Sequence, residues 1–426
     1  MKKLIIVGGR KLNGSINISG SKNATLPIIA ASIISKNKVI IQNIPLVKDV
    51  ETMINLLSLL GSKIKLNKKR KKIEILNSNK LNTFVPYKLV KTMRAGVLVL
   101  GSLLARYNKA KVSLPGGCAI GSRPVDLHLG ALKKMGVNFK IKNGYIIAIA
   151  KNGLIGNKIT FPKISVGATE NTMIAACLAK GKTTLNNCAC EPEIKDLSRF
   201  LVTMGCKIKW LKKRKIEING VKNLKPLTYR VMFDRIEAGT YMIASAVTNG
   251  RIKIKNIDPK VIKNEILVMK KMGVIITIKS KEIIVHNSKY IKKINLKTSP
   301  YPGFPTDLQA QIMVLMCKAN GVSKIVENIF ENRFMHVPEL NRMGAKIETK
   351  GNQAIINGKK KFNGAELMAT DLRASVSLVL AALSSKTKTT INRVYHLDRG
   401  YENIEKKLSN CGAQIKRIEW KKISVD

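Results

Sequence analysis

Asn55–Leu66 reads NLLSLLGSKIKL. Apolar residues at helical spacing run up to Gly61, and apolar and polar residues alternate after it. A glycine just past a helix supplies the left-handed residue of a C-terminal cap. Strict alternation marks a strand with one buried face. The stretch therefore predicts a helix, a stop and a strand. The pattern recurs as ALKKMGVNFKI at 131–141, RFLVTMGCKIKW at 199–210, LVMKKMGVIITI at 267–278, ELNRMGAKIET at 339–349 and KLSNCGAQIKRI at 407–418. Its glycines, Gly61, Gly136, Gly205, Gly273, Gly344 and Gly412, stand roughly 70 residues apart, so six near-equal units fill the chain.

Each alternating stretch leads into a turn and a second strand, such as Ile73–Leu76 or Tyr145–Ala150. Each unit also carries an earlier helix, expected at 23–35, 88–106, 169–180, 235–249, 306–320 and 370–384. Interiors such as LPIIAASII and AGVLVLGSLLA are apolar or small on every face, which marks a buried helix. The fold class is α/β, with two similar domains of three βαβαββ units each. Three buried helices share the centre of each domain, with sheets and surface helices outside. The split between the domains is expected near residues 225–235, with Lys225-Pro226 as a hinge.

The totals limit the function classes. A chain of 426 residues exceeds one ordinary core. No apolar run approaches the ~18 residues of a membrane span, and the apolar part of MKKLIIVGGRK is too short for a signal peptide. A cytoplasmic protein without a membrane partner is expected. Seven cysteines without a zinc-type pair and four scattered histidines predict no metal. Cys177 and Cys317 read as core residues. The net charge of +51 suggests nucleic acid at first sight. Yet the lysines are spread along the chain among Asn and Ile, and aromatics at 5% leave few platforms for stacked bases. Compositional bias explains the excess better, with 68–72 and 212–215 as solvated hairpin turns.

Leu114–Leu129, LPGGCAIGSRPVDLHL, places the thiol of Cys118 among glycines, with Arg123 and Asp126 at the start of a helix. A neighbouring cation favours the thiolate, and a helix start offers N–H groups to an anion. On this window alone a reactive loop and a tight turn with an incidental cysteine are equally open. The buried helices add a second signal, because their polar residues gather at their N-termini. They include Lys22, Asn23, Arg94, Thr169, Glu170, Asn171, Asp234, Arg235, Glu237, Thr306, Asp307, Asp371 and Arg373. Parallel helices would aim these ends at one cleft between the domains. Capping accounts for Thr306 and Thr370. It does not account for Lys22, Arg94 or Arg373, since a cation is unfavourable at a helix N-terminus. Such cations suit an anionic substrate.

These residues lie in motifs that resemble the UDP-N-acetylglucosamine enolpyruvyl transferase family. The carriers are ISGSKNATLPIIAA (18–31), MRAGVLVLGSLLAR (93–106), the Cys118 stretch, ISVGATENTMIAA (164–176), DRIEAGTYM (234–242), YPGFPTDLQAQ (301–311), FENRFMHVPELNRMGA (330–345), ATDLRASVSLVLA (369–381) and HLDRGYENIEKKL (396–408). The resemblance implies an inside-out α/β barrel pair whose first residues complete the C-terminal domain, which gives domains at 22–229 and at 1–21 plus 230–426. It implies transfer of the enolpyruvyl group of phosphoenolpyruvate to the 3′-hydroxyl of UDP-N-acetylglucosamine, the first committed step of peptidoglycan synthesis. No cofactor or metal is implied, and a monomer is expected.

By the same resemblance, Lys22 and Asn23 contact the donor phosphate and the cleft, and Arg123 brings a second cation on the loop. Arg373 and Arg399 take the donor carboxylate, and Arg94 lines the nucleotide-sugar site. Arg123, Pro124, Val125, Asp126 and Leu127 hold the uridine end, with Lys163, Ile164, Ser165 and Val166. Asp307 lies beside the sugar hydroxyl with Ile329 near it, and Arg333 supports the cleft. Cys118 is the residue that fosfomycin alkylates, and it either donates the proton or assists product release. Two other readings stand beside this one. One is the sister 3-phosphoshikimate enolpyruvyl transferase, against which the Cys118 loop and RPVDLH argue. The other is a basic nucleic-acid-binding protein on a retired enzyme fold.

Overall fold

The computed structural model describes residues 2–91, 93–114, 125–359 and 361–419. All six glycines of the repeat adopt positive φ, from 86° at Gly273 to 106° at Gly205, as the cap requires. The helices before them are Lys48–Leu59, Asp126–Lys134, Pro192–Thr203, Lys263–Lys271, Val337–Arg342 and Ile404–Ser409.

Among the described residues there are six four-stranded sheets with one common order: a parallel strand, a central strand, a hairpin strand and an edge strand. The strand after each glycine, such as Ser62–Asn67 or Asn138–Lys142, is always the edge. The expected half-buried alternation is carried instead by its hairpin partner, as in Lys72–Asn77, where Ile73 and Ile75 are fully buried. The edge strands are exposed and rich in lysine, including Lys63, Lys65, Lys140, Lys142, Lys207 and Lys209. Lysine on an edge opposes pairing with another sheet. Part of the charge excess thus has a structural use. The runs at 68–72 and 212–215 fall at the turns of two of these hairpins.

The first and last segments close the pattern. Lys2–Val7 is the hairpin strand of the sixth unit, pairing with Gln414–Glu419, and Asn13–Asn17 is the parallel strand beside Arg251–Lys255. Leu227–Arg230 pairs with Val39–Gln42 in the same way. Lys225-Pro226 feeds directly into this paired strand, and the chain passes from one compact unit to the other between Met232 and Phe233. Two compact units result: residues 20–114 with 125–232, and residues 2–19 with 233–419.

Each unit is built inside out. In one, helices Lys22–Ala31, Val99–Tyr107 and Val166–Ala176 pack together; in the other, Arg235–Val247, Gln309–Lys318 and Leu372–Leu383 do. Every residue of Arg235–Val247 and of Leu372–Leu383 is buried. Leu, Ile, Val, Met and Ala fill these cores, and apolar burial contributes about 25 cal/mol per Å².

Several helix boundaries differ from expectation. The helix expected at 88–106 is broken into Tyr87–Val90, a 3-10 turn Arg94–Leu98 and Val99–Tyr107. Met93 is extended at φ −143°, and Gly96 packs so closely that an added Cβ would lie 3.3 Å from Val90 Cγ2. The helix expected from Thr169 starts at Val166, because the Ser165 hydroxyl accepts from Ala168 N at 3.3 Å and caps it. Asp307 lies in a 3-10 turn, Thr306–Leu308, ahead of Gln309–Lys318. Neither predicted threonine caps its helix. The Thr306 hydroxyl donates to Glu327 Oε2 at 2.9 Å, and Asp371 takes the place expected of Thr370 by accepting from Arg373 N and Ala374 N.

Candidate active site

In the unit of residues 2–19 and 233–419, Asp307 stands just before the buried helix Gln309–Lys318 and meets Arg373 from the first turn of Leu372–Leu383. Its Oδ1 accepts from Arg333 Nη2 at 2.8 Å and its Oδ2 from Arg373 Nη2 at 2.7 Å. The Asp307 side chain is 26% exposed, whereas those of Arg333 and Arg373 are 4% and 6% exposed. The arrangement is a solvent-facing carboxylate backed by two buried guanidinium forks. Its partial exposure lets a hydroxyl approach the carboxylate from solvent. Burial works against the Arg373 charge, but Asp307 outweighs it and holds the guanidinium above its ordinary value.

Around this cluster, Arg373 Nη1 donates to Tyr401 Oη at 3.1 Å, and Gln311 Nε2 donates to the Asp307 carbonyl at 2.9 Å. Glu327 is buried and accepts from Ile329 N at 2.8 Å, from Phe330 N at 3.2 Å and from Thr306. It thereby pins the half-buried Ile329 and the loop leading to Arg333 against the turn that carries Asp307. Arg399 is half-buried at the C-terminal cap of the short helix Tyr395–Asp398.

In the unit of residues 20–232, Lys22 opens a buried helix and pairs with Asp49 at 3.2 Å, with side chains 12% and 6% exposed. Asp49 offsets the cost of a cation at that helix start. Asn23 follows, half-buried. Arg94 opens the 3-10 turn, and Val125 caps the helix that begins with Asp126 and Leu127. Lys163, Ile164, Ser165 and Val166 form the lead-in to the helix Val166–Ala176. His128 and Asn171 tie these segments together. Asn171 Oδ1 accepts from Gly101 N at 2.6 Å, and its Nδ2 donates to Val97 O at 3.1 Å and to His128 Nδ1 at 3.0 Å. His128 also abuts Gly167, where an added Cβ would meet the ring at 3.1 Å. Cys118, Arg123 and Pro124 lie outside the described residues.

Burial first, then Arg94, pushes the His128 imidazole down to about 4 against an opposing pull from Asp126. His128 is therefore neutral in the folded chain at neutral pH. Its depressed pKa means the stabilisation is complete above the unfolded value of 6.5 and is lost as pH falls towards 4. His128→Asn should therefore be less stable than the parent at pH 7.5, with the gap narrowing by about 3 kcal/mol towards pH 4. Urea melts across that range measure it, and a constant gap would contradict it.

Residues 6–408 match the family model described as EPSP synthase (3-phosphoshikimate 1-carboxyvinyltransferase). The chain belongs to this family of enolpyruvyl transferases. Among curated relatives, a UDP-N-acetylglucosamine 1-carboxyvinyltransferase of Pelagibacter ubique (strain HTCC1062) is 66% identical, covering 98% of this chain and 100% of the relative. One of the same name from Rickettsia akari (strain Hartford) is 52% identical with the same coverage. Among solved structures, the enolpyruvyl transferase NikO from Streptomyces tendae matches with a TM-score of 0.89 at 22% identity, over 99% of both chains. An EPSP synthase from Acinetobacter baumannii matches with a TM-score of 0.77 at 18% identity, over 98% of this chain and 100% of that one. These structures establish the fold of the enolpyruvyl transferases for this chain, and the family expected from the motifs is the family found. Among the described residues no helix is long and apolar enough to cross a membrane.

The sequence reading missed Asp49, Glu327, Thr240 and Tyr401 as parts of these clusters. Tyr401 was within sight, two residues after Arg399 in HLDRGYENIEKKL.

Proposed function

We propose that this enolpyruvyl transferase moves the enolpyruvyl group of phosphoenolpyruvate to the 3′-hydroxyl of UDP-N-acetylglucosamine and releases phosphate. The observation that carries the reading is 66% full-length identity to a relative of that activity by name, against 18% to an EPSP synthase. The chain would then perform the first committed step of peptidoglycan synthesis, as a cytoplasmic monomer that needs no metal or organic cofactor. The buried free thiols Cys177, Cys188, Cys190, Cys206, Cys317 and Cys411 are compatible with a reducing compartment.

Arg373 and Arg399 bind the donor carboxylate, to which planar guanidinium forks are matched. Lys22 and Arg123 bind its phosphate, with Asn23 beside them. The nucleotide end of the acceptor lies on Arg123, Pro124, Val125, Asp126 and Leu127 and on Lys163, Ile164, Ser165 and Val166. The capped helix start at Val166 suits a diphosphate, since it presents N–H groups and a positive dipole end. Arg94 and Ile329 line the sugar.

In the addition step the 3′-oxygen bonds to C2 of the donor as Asp307 accepts its proton. C3 gains a proton, for which Cys118 is the donor, and a tetrahedral ketal results. Elimination returns a proton from C3, re-forms the double bond and breaks the C2–O bond to phosphate. Arg333 and Arg373 hold Asp307 in place through both steps.

Fosfomycin tests the thiol's place. The intact protein should gain one fosfomycin adduct by mass, and Cys118→Ser should abolish the adduct and strongly reduce turnover. An adduct that survives the substitution would move the reactive thiol elsewhere and count against the reading.

A further inference from the structure

Behind the Asp307 cluster runs a chain of hydrogen bonds whose donors are all assigned. The Thr240 hydroxyl donates to Ile236 O at 2.8 Å, so Thr240 Oγ1 must accept from the Tyr401 hydroxyl, 2.9 Å away. With its proton so used, Tyr401 Oη accepts from Arg373 Nη1 at 3.1 Å. The other terminal nitrogen, Arg373 Nη2, donates to Asp307 at 2.7 Å. Gln311 Nε2 adds contacts at 3.3 Å to both Thr240 Oγ1 and Tyr401 Oη. Tyr401 is 3% exposed and Thr240 and Gln311 are fully buried, so water does not compete for these bonds. Burial first, against the nearby Arg373, holds the Tyr401 phenol above its ordinary value, so it keeps the proton it donates.

Two anchors on different nitrogens define the plane of a guanidinium, where one would leave it free to turn. Asp307 is the first anchor, and its tip must remain available to the acceptor hydroxyl. Tyr401 is the second, and it is buried with Thr240 and Gln311. A carboxylate meets a guanidinium with two parallel bonds only when the two planes coincide. We propose that Tyr401, held by Thr240, is a positioning residue that sets the plane of the Arg373 guanidinium for the carboxylate of the donor. The inference rests on the function proposed above, because it takes Arg373 as the donor's partner.

Tyr401→Phe removes one oxygen and keeps the ring in the core. Steady-state kinetics should show the KM for phosphoenolpyruvate raised about tenfold and kcat lowered, while the Kd for UDP-N-acetylglucosamine stays at the parent value. Thr240→Val should act in the same direction, and the double substitution should cost little more than Tyr401→Phe alone, since both break one chain. Parental KM and kcat in Tyr401→Phe would overturn the inference. So would an equal loss of affinity for both substrates with a lowered Tm, which is the mark of a purely structural tyrosine. A parent protein that turns over no phosphoenolpyruvate with UDP-N-acetylglucosamine would remove the proposed function, and this inference with it.

Discussion

Asp307→Ala should lower kcat by about three orders of magnitude while leaving the Kd for UDP-N-acetylglucosamine within a few-fold of the parent. The reasoning starts from exposure. Asp307 is the exposed member of a trio whose other members, Arg333 and Arg373, are buried. A carboxylate that served only to neutralise two arginines would be expected to lie buried with them. Instead its side chain is partly exposed, open to an approaching hydroxyl. A positioned base of this kind contributes about 10²–10⁴ in rate, and the loss of orientation at Arg373 adds to it.

Alanine also strips two buried cations of their counter-charge, a change that costs about 3–5 kcal/mol when a buried pair is broken. Stability must therefore be read separately. Asp307→Asn keeps the shape and an acceptor oxygen, so its Tm should fall less than that of Asp307→Ala. Its turnover should still collapse, because an amide does not take the proton. Stopped assays at low temperature with both variants separate the two effects. Near-parental turnover in Asp307→Asn would end the role of Asp307 as base.

Legibility in the sequence followed the range of the interactions. The six glycines were readable because a left-handed cap is a local demand, met within one turn of chain. The buried helices were readable because apolarity on every face has no other use in a chain of this kind. What failed locally failed to competition. Thr306 was a good cap by type, yet its hydroxyl is taken by Glu327, and Asp371 displaced Thr370 from the same duty. The strand after each glycine was read as half-buried, but its lysines belong to a sheet edge, which only the pairing order reveals.

The site divides in the same way. Lys22, Arg94, Asp307 and Arg373 stood out because charges at the ends of apolar helices are conspicuous in a linear string. The residues that hold them did not. Thr240 and Tyr401 are 161 positions apart, and Asp49 is 27 from Lys22. No spacing rule joins such pairs, since they meet only once the elements of one domain have packed around its buried helices. Nothing about Tyr401 as a residue type separates a positioning phenol from an ordinary core tyrosine such as Tyr241, which is also fully buried.

The second large effect expected is in the choice of acceptor. Enolpyruvyl transferases share the donor, so specificity must lie in the groups assigned to the nucleotide sugar: Val125, Asp126 and Leu127 beside the turn of His128, and the Ser165-capped helix start. Sites that hydrogen-bond a substrate reject an analogue lacking the matching groups by about 10⁴-fold or more, because buried donors and acceptors are left unpaired. The direct measurement is phosphate release from phosphoenolpyruvate by the purified full chain, with each acceptor supplied alone. UDP-N-acetylglucosamine should give one phosphate per acceptor consumed, and shikimate 3-phosphate should be at least about 10³-fold slower in kcat/KM. Release with shikimate 3-phosphate alone, or salt-sensitive RNA binding with no release from either acceptor, would contradict the account.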